Sequence, residues 1–171
     1  MHMLTQERLK ELFHYSPETG CFTRLISVCS TGTAGDLAGW VSHNGYLYIG
    51  IDYKKHLSHR LAWLYIHGEW PSDEIDHINH IRTDNRISNL REATYIENGR
   101  NTSLHSDNTS GVSGVSWNKR ANKWRARITV NREEKFLGHF RDFESACIAR
   151  KEAEIKYEFH ENHGKLEGDM L

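Results

Sequence analysis

The stretch IDHINHIRTDNRISNLREATYIENGRN, residues 75–101, decides how the chain is read. Its apolar residues are sparse: Ile75, Ile78, Ile81, Ile87, Leu90 and Ile96 stand among asparagine, arginine, aspartate and histidine. A segment this polar in the middle of a chain is either a loop or a site. EIDHIN (74–79) reads as a short strand ending in polar side chains, HIRTDNRIS (80–88) as a loop and NLREAT (89–94) as a second strand. Thr94-Tyr95-Ile96-Glu97 then fits a capping box, with Thr94 as N-cap and Glu97 reaching back, so a helix is expected to begin at Tyr95. That helix sets Asn98 and Asn101 on neighbouring positions of one face. The order is strand–loop–strand–helix.

Such a unit carries a specific set of chemical groups. Asp76 offers a hard carboxylate oxygen and Asn98 an amide oxygen. Two oxygen ligands, with water and a phosphate completing the shell, suit Mg²⁺ better than zinc. His77 points to the other side of the strand from Asp76, and a neutral imidazole is matched to activating water near neutral pH. A cation on the leaving oxygen and a base on the nucleophile imply phosphodiester hydrolysis. A His77/His80 zinc pair is the competing reading, but two further Cys or His ligands at zinc spacing are missing. His56, His59 and His67 flank the preceding helix and read as surface or core-edge histidines, His59 being the one placed to approach the site.

The rest of the chain sets bounds. Its 171 residues, 37% hydrophobic with five Trp, seven Tyr and six Phe, argue for a folded protein of one domain or two small ones. The start, MHMLTQERLK, lacks a secretory apolar core, and no run of about 18 apolar residues predicts a membrane span. Three cysteines (Cys21, Cys29, Cys147) without a C-x-x-C fit a reducing, cytoplasmic setting, with Cys21 and Cys29 expected as buried thiols. Upstream, Leu9, Leu12 and Phe13 stand at helical spacing in a segment expected to stop at Pro17 and Gly20. Tyr46–Ile51 reads as a strand, followed by a turn at 52–54 and a short strand entering a helix with Leu61, Leu64 and Tyr65. Trp63, Trp70 and Trp124 are expected as core anchors.

The net charge of −1 conceals a local asymmetry. Between Gly111 and Arg132 stand Lys119, Arg120, Lys123, Arg125, Arg127 and Arg132 with no acid, a basic stretch suited to a polyanion. Within KWRARITV (123–130), Trp124, Ala126, Ile128 and Val130 alternate with Arg125, Arg127 and Thr129, the period of a half-buried strand. GVSGVSW and EKFLGHF flank it as further strands. DFESACIARKEAEIKYEF follows as a helix, with Asp142 as N-cap and an Ala146, Ala149, Ala153, Tyr157 stripe. Three strands on one helix make a small α+β module whose sheet presents an arginine row. The polar LHSDNTSG (104–111) separates it from what precedes.

DHINH…DNRISNLREAT…EN resembles the HNH (ββα-metal) nuclease motif, in the homing-endonuclease variant whose last His is replaced by Asn. With SHRLAWLYIHGEWP upstream, the resemblance covers roughly residues 1–104. It implies His77 as general base, Asp76 and Asn98 as metal ligands, and Asn89 as the residue that buttresses the loop holding the base. The C-terminal SGVSGVSWNKRANKWRARI…KFLGHF is similar to the AP2 DNA-binding domain, whose sheet lies in the major groove. That similarity makes Asn118, Arg120, Arg125, Arg127 and Thr129 expected DNA contacts, with Phe136 beside them; Lys123 is expected there too, and Arg91 and Arg100 are read as phosphate contacts.

The expected architecture is therefore α+β: a nuclease domain over 1–104, a linker at 105–110 and an AP2-like domain over 111–171. The expected activity is site-specific cleavage of double-stranded DNA with Mg²⁺ or another divalent cation such as Mn²⁺, in a bacterial host cell, by a phage- or intron-encoded protein acting as monomer or dimer. No membrane or protein partner is expected. Two alternatives remain open on sequence: a catalytically silent DNA-binding regulator, and a nonspecific or restriction-type nuclease.

Overall fold

The computed structural model describes residues 3–28 and 32–165. They form two compact units, Met1–Thr94 and Tyr95–Leu171. This division comes earlier than 105–110 because the segment after Tyr95 is tied to the C-terminal end. His160 N–H donates to Arg100 O (3.1 Å), and Gly164 N–H to Thr102 O (2.8 Å). Among the described residues no helix is long and apolar enough to cross a membrane.

In the first unit, α1 (Gln6–Leu12) starts at Thr5, whose hydroxyl accepts the Arg8 N–H (3.2 Å). The helix does not continue toward Pro17 as its spacing suggests. Phe13 instead opens a hairpin that the sequence reading overlooked, β1 (Phe13–Ser16) against β2 (Cys21–Arg24). Phe13, Tyr15 and Phe22 alternate inward, a two-residue period that three aromatic rings make worth more than another helical turn. Cys21 is a correction as well: one residue out of phase with Phe22, it is exposed, while Cys29 lies outside the described residues.

The strands β3 (Trp40–Val41), β4 (Leu47–Ile51) and β5 (Lys54–Leu57) form a second sheet in that order. The turn between β4 and β5 is tight, with Asp52 and Tyr53 both at positive φ (46° and 64°). β5 runs directly into α2 (Ser58–His67), which ends at Gly68 in the left-handed region. Leu61, Ala62 and Leu64 of α2 join Leu9, Ile49, Tyr15 and Phe22 in one core, with Trp63 and Trp70 packed at its margin as expected. β6 (Glu74–His77) and β7 (Leu90–Ala93) pair antiparallel, His77 opposite Leu90 and Asp76 opposite Arg91, and a 3₁₀ turn (Ile87–Asn89) precedes β7.

The second unit opens with α3 (Tyr95–Gly99), starting at the residue its capping box predicts. β8 (Val115–Asn118), β9 (Lys123–Val130) and β10 (Glu133–Phe140) make an antiparallel sheet of order β10-β9-β8. α4 (Phe143–Lys156) covers one face of it, capped by Asp142, whose carboxylate accepts the Ser145 N–H (2.7 Å). Val115, Ala126 and Ala146 form the contact between sheet and helix. Trp124 is anchored there against Phe143, their ring centroids 4.7 Å apart.

The hairpin also fixes the loop after β6. A Cβ on Gly20 (φ +73°) would stand 2.4 Å from both Asn85 C and Arg86 N, so backbone meets backbone there. Gly20→Ala is expected to lower unfolding free energy by at least about 1 kcal/mol, measured by chemical denaturation, and to reduce nuclease activity along with it.

Candidate active site and nucleic-acid interface

His77 ends β6, where the strand delivers it into a buried pocket of the first unit. Its Nε2 lies 3.1 Å from Asn85 Oδ1. An amide oxygen only accepts, so the contact matches the ring tautomer protonated at Nε2 and unprotonated at Nδ1. Burial lowers the His77 pKa, against the raising effects of Asn85 and of the carboxylates of Asp76 and Asp84. The neutral imidazole is therefore favoured.

Asn85 itself is fully buried and held from two sides. Tyr15 donates its hydroxyl proton to the Asn85 carbonyl at 2.7 Å, and the Gly20 backbone closes against the same peptide. This asparagine was not singled out in the sequence. The loop carries several asparagines with nothing to rank them, and the partner that marks Asn85 comes from a hairpin some 70 residues away.

Asn89 clamps the loop at its other end. Its Oδ1 accepts the Asn79 N–H (3.0 Å), its Nδ2 donates to Asp84 O (2.8 Å), and its own carbonyl accepts the Ile78 N–H (3.0 Å). These bonds tie Asn89 to both ends of the loop. Inside the loop Arg86 closes on Asp84, which holds that carboxylate below its usual range.

Two aromatic neighbours wall His77. His59 of α2 meets His77 edge-on at 5.0 Å, and Tyr46 lies 5.4 Å from His59 and 5.9 Å from His77. Burial, reinforced by His77 and Arg60, pushes the His59 pKa down to about 3, so its ring packs as an uncharged wall. His59 thus does approach the base. Tyr46 was read only as a strand residue. His80 is buried too, at positive φ (63°), with its N–H on the His77 carbonyl (3.0 Å).

Asp76 is buried on the other side of β6. The Arg91 guanidinium, across the strand pair, donates from Nε (3.0 Å) and Nη2 (2.8 Å) to Asp76 Oδ2. Arg91, expected at a phosphate, is thus engaged with the Asp76 carboxylate. Among the described residues no group of three or more His, Cys, Asp or Glu side chains is disposed to hold a metal ion. Asp76 and the Asn98 amide are hard oxygen donors that fit Mg²⁺ or Mn²⁺. Asn98 lies on α3, in the second unit.

The second unit gathers the other expected contacts on the sheet face opposite α4. Lys123, Arg125, Arg127 and Thr129 alternate along β9 with the buried residues, and Asn118 stands opposite Lys123 on β8. The register adds Phe136 opposite Arg127, His139 opposite Arg125 and Glu134 opposite Thr129. Asn118 Nδ2 lies 3.3 Å from His139 Nε2, and its Oδ1 accepts the N–H groups of Arg120 (3.1 Å) and Ala121 (3.2 Å), which fixes the β8–β9 turn. Arg127 Nη1 pairs with Glu134 Oε2 at 2.6 Å, an acid within the basic row.

The sequence profile described as HNH endonuclease matches residues 56–100, from β5 through α3. Protein 3.8 of Escherichia phage T7 is 32% identical over 115 residues, covering 67% of this chain and 90% of that protein. The chain belongs to the HNH endonuclease family. It is a DNA nuclease, and the matched segment contains Asp76, His77, Asn85, Asn89 and Asn98. No solved structure matches it.

The hydrogen bond to Asn85 makes a kinetic prediction for this HNH endonuclease. Asn85→Ala releases the His77 ring and is expected to lower kcat by roughly 10- to 100-fold with a much smaller change in KM. An unchanged kcat in a folded Asn85→Ala protein would show that His77 needs no such guide.

Proposed function

We propose that the chain is a metal-dependent, site-specific DNA endonuclease of the homing type, with His77 as general base. The observation that carries this reading is the His77–Asn85 hydrogen bond, which leaves Nδ1 as the acceptor for a proton from water. In the proposed step His77 Nδ1 takes that proton as the water oxygen attacks the scissile phosphorus in line with the departing 3′ oxygen. Asp76 and Asn98 would hold a divalent cation such as Mg²⁺ or Mn²⁺, which would supply neutralising charge at the phosphate. Arg91 orients Asp76 through two hydrogen bonds to Oδ2, and Asn89 holds the loop that carries the base.

Recognition is assigned to the AP2-like module of β8, β9, β10 and α4, with Asn118, Arg120, Lys123, Arg125, Arg127 and Thr129 meeting double-stranded DNA. In this reading the nuclease part runs through residue 104 and 105–110 links it to the reading module over 111–171, so α3 serves the cut. One centre per chain cleaves one strand, so a monomer nicks and a dimer or a second visit completes a break. The likeness to a phage protein supports action in the cytoplasm of a bacterial host.

A supercoiled-plasmid assay carrying the cognate locus tests the reading. The wild-type chain with Mg²⁺ is expected to relax or linearise the plasmid. His77→Ala is expected to lower the rate by about 10²- to 10⁴-fold while DNA affinity stays within about twofold of wild type. Near-normal cleavage by His77→Ala would remove His77 from its role.

A further inference from the structure

Beside the sheet of the second unit is a cleft of about 810 Å³, walled by α3 and the residues after it, by the β9–β10 turn and by the C-terminal end. It follows an open strand edge. β8 pairs with β9 only over Lys123–Ala126, and Gly114 O accepts the Arg127 N–H (2.9 Å) just beyond. Strand alternation turns the Thr129 N–H to the same edge, so it faces the cleft.

The charge of the lining is one-sided. Its single acid, Glu134, is paired with Arg127. Arg150 is buried and internally satisfied: Nε donates to Glu154 Oε1 (3.0 Å), Nη1 to Arg127 O (2.9 Å), and Nη2 lies 3.0 Å from His163 Nε2. It builds the wall. Arg100 and Arg132 differ, because among the described residues neither forms an ion pair with a carboxylate. Each lies over an aromatic ring instead, Arg132 over Tyr95 at 5.4 Å and Arg100 over Phe159 at 6.0 Å. A guanidinium held near a ring rather than in an ion pair keeps N–H donors available, and its fork matches two phosphate oxygens. Contact with the ring also removes side-chain freedom before a ligand arrives, which lowers the cost of binding.

We propose that this cleft receives the sugar–phosphate backbone of the DNA substrate, with Arg100 and Arg132 each holding a phosphate and the Thr129 amide donating a further hydrogen bond. The proposal rests on the reading of this chain as an endonuclease whose β9 face meets DNA. It extends that track from the sheet face around the open edge of β9 to α3, the helix that carries Asn98. The backbone contacts here position DNA without reading its sequence.

The test is the salt dependence of duplex affinity, using a 40-base-pair duplex and the full chain in a His77→Ala background, which keeps the DNA intact. Arg100→Ala, Arg132→Ala and Arg125→Ala are compared with that parent, and thermal melting confirms that each is folded. Losing one phosphate contact lowers the slope of log K against log salt by about 0.9. The expected result is a loss of that size in each of the three, with Arg132→Lys retaining most of the parental slope. Slopes unchanged in both Arg100→Ala and Arg132→Ala, with Arg125→Ala reduced, overturn the cleft assignment and leave the sheet face standing. No salt-dependent binding by the parent overturns the DNA-reading assignment itself.

Discussion

Everything proposed for catalysis depends on one buried hydrogen bond, from His77 Nε2 to Asn85 Oδ1. An imidazole free to rotate presents either nitrogen, in either tautomer, and acts as a base only in one of these arrangements. Burying it disfavours the charged form, but burial alone does not choose between the two nitrogens. Asn85 makes the choice, since its amide oxygen accepts and cannot donate. The constraint reaches outward from there. Tyr15 and Gly20 press the N-terminal hairpin onto the Asn85 peptide, Asn89 pins the far end of the loop, and His59 and Tyr46 pack against the His77 ring. The hairpin, whose aromatic residues look like ordinary core, is thus part of how the base is aimed.

Asp76 and His77 illustrate how a strand assigns unlike tasks to adjacent residues. The two-residue period sends the carboxylate to one side and the imidazole to the other, so each acquires its own environment. Asp76 faces a guanidinium across the strand pair and His77 faces an amide oxygen within the loop. A one-residue slip in the β6–β7 register would exchange those surroundings. The pairing of Asp76 with Arg91 and of His77 with Leu90 therefore sets the surroundings of both side chains.

Much of this was legible in the sequence, and what escaped follows a pattern. The strand–loop–strand–helix order, the start of α3 at Tyr95, and the alternating faces of β9 rest on local periodicity and capping, which neighbouring residues determine between themselves. Asn85 and the β1–β2 hairpin escaped for a different reason. Asn85 matters because of Tyr15 and Gly20, and Phe13 leaves the helix because Phe22, across the hairpin, offers its ring an edge-on partner. Glu134 beside Arg127 is likewise set by strand register, which the intervening bulge at Leu137 does not disturb on that side. Long-range contacts give these residues their meaning, and no local pattern encodes them.

The most direct test of the account is the tautomer of His77, read from imidazole ¹⁵N chemical shifts and long-range ¹⁵N–¹H correlations in protein labelled at histidine, recorded at neutral pH without metal. The Asn85 contact predicts a neutral ring protonated at Nε2 with a bare Nδ1, and predicts that Asn85→Ala mixes the two tautomers. A ring protonated at Nδ1 in the wild-type protein would contradict it, because the nitrogen assigned to accept the proton from water would already hold one.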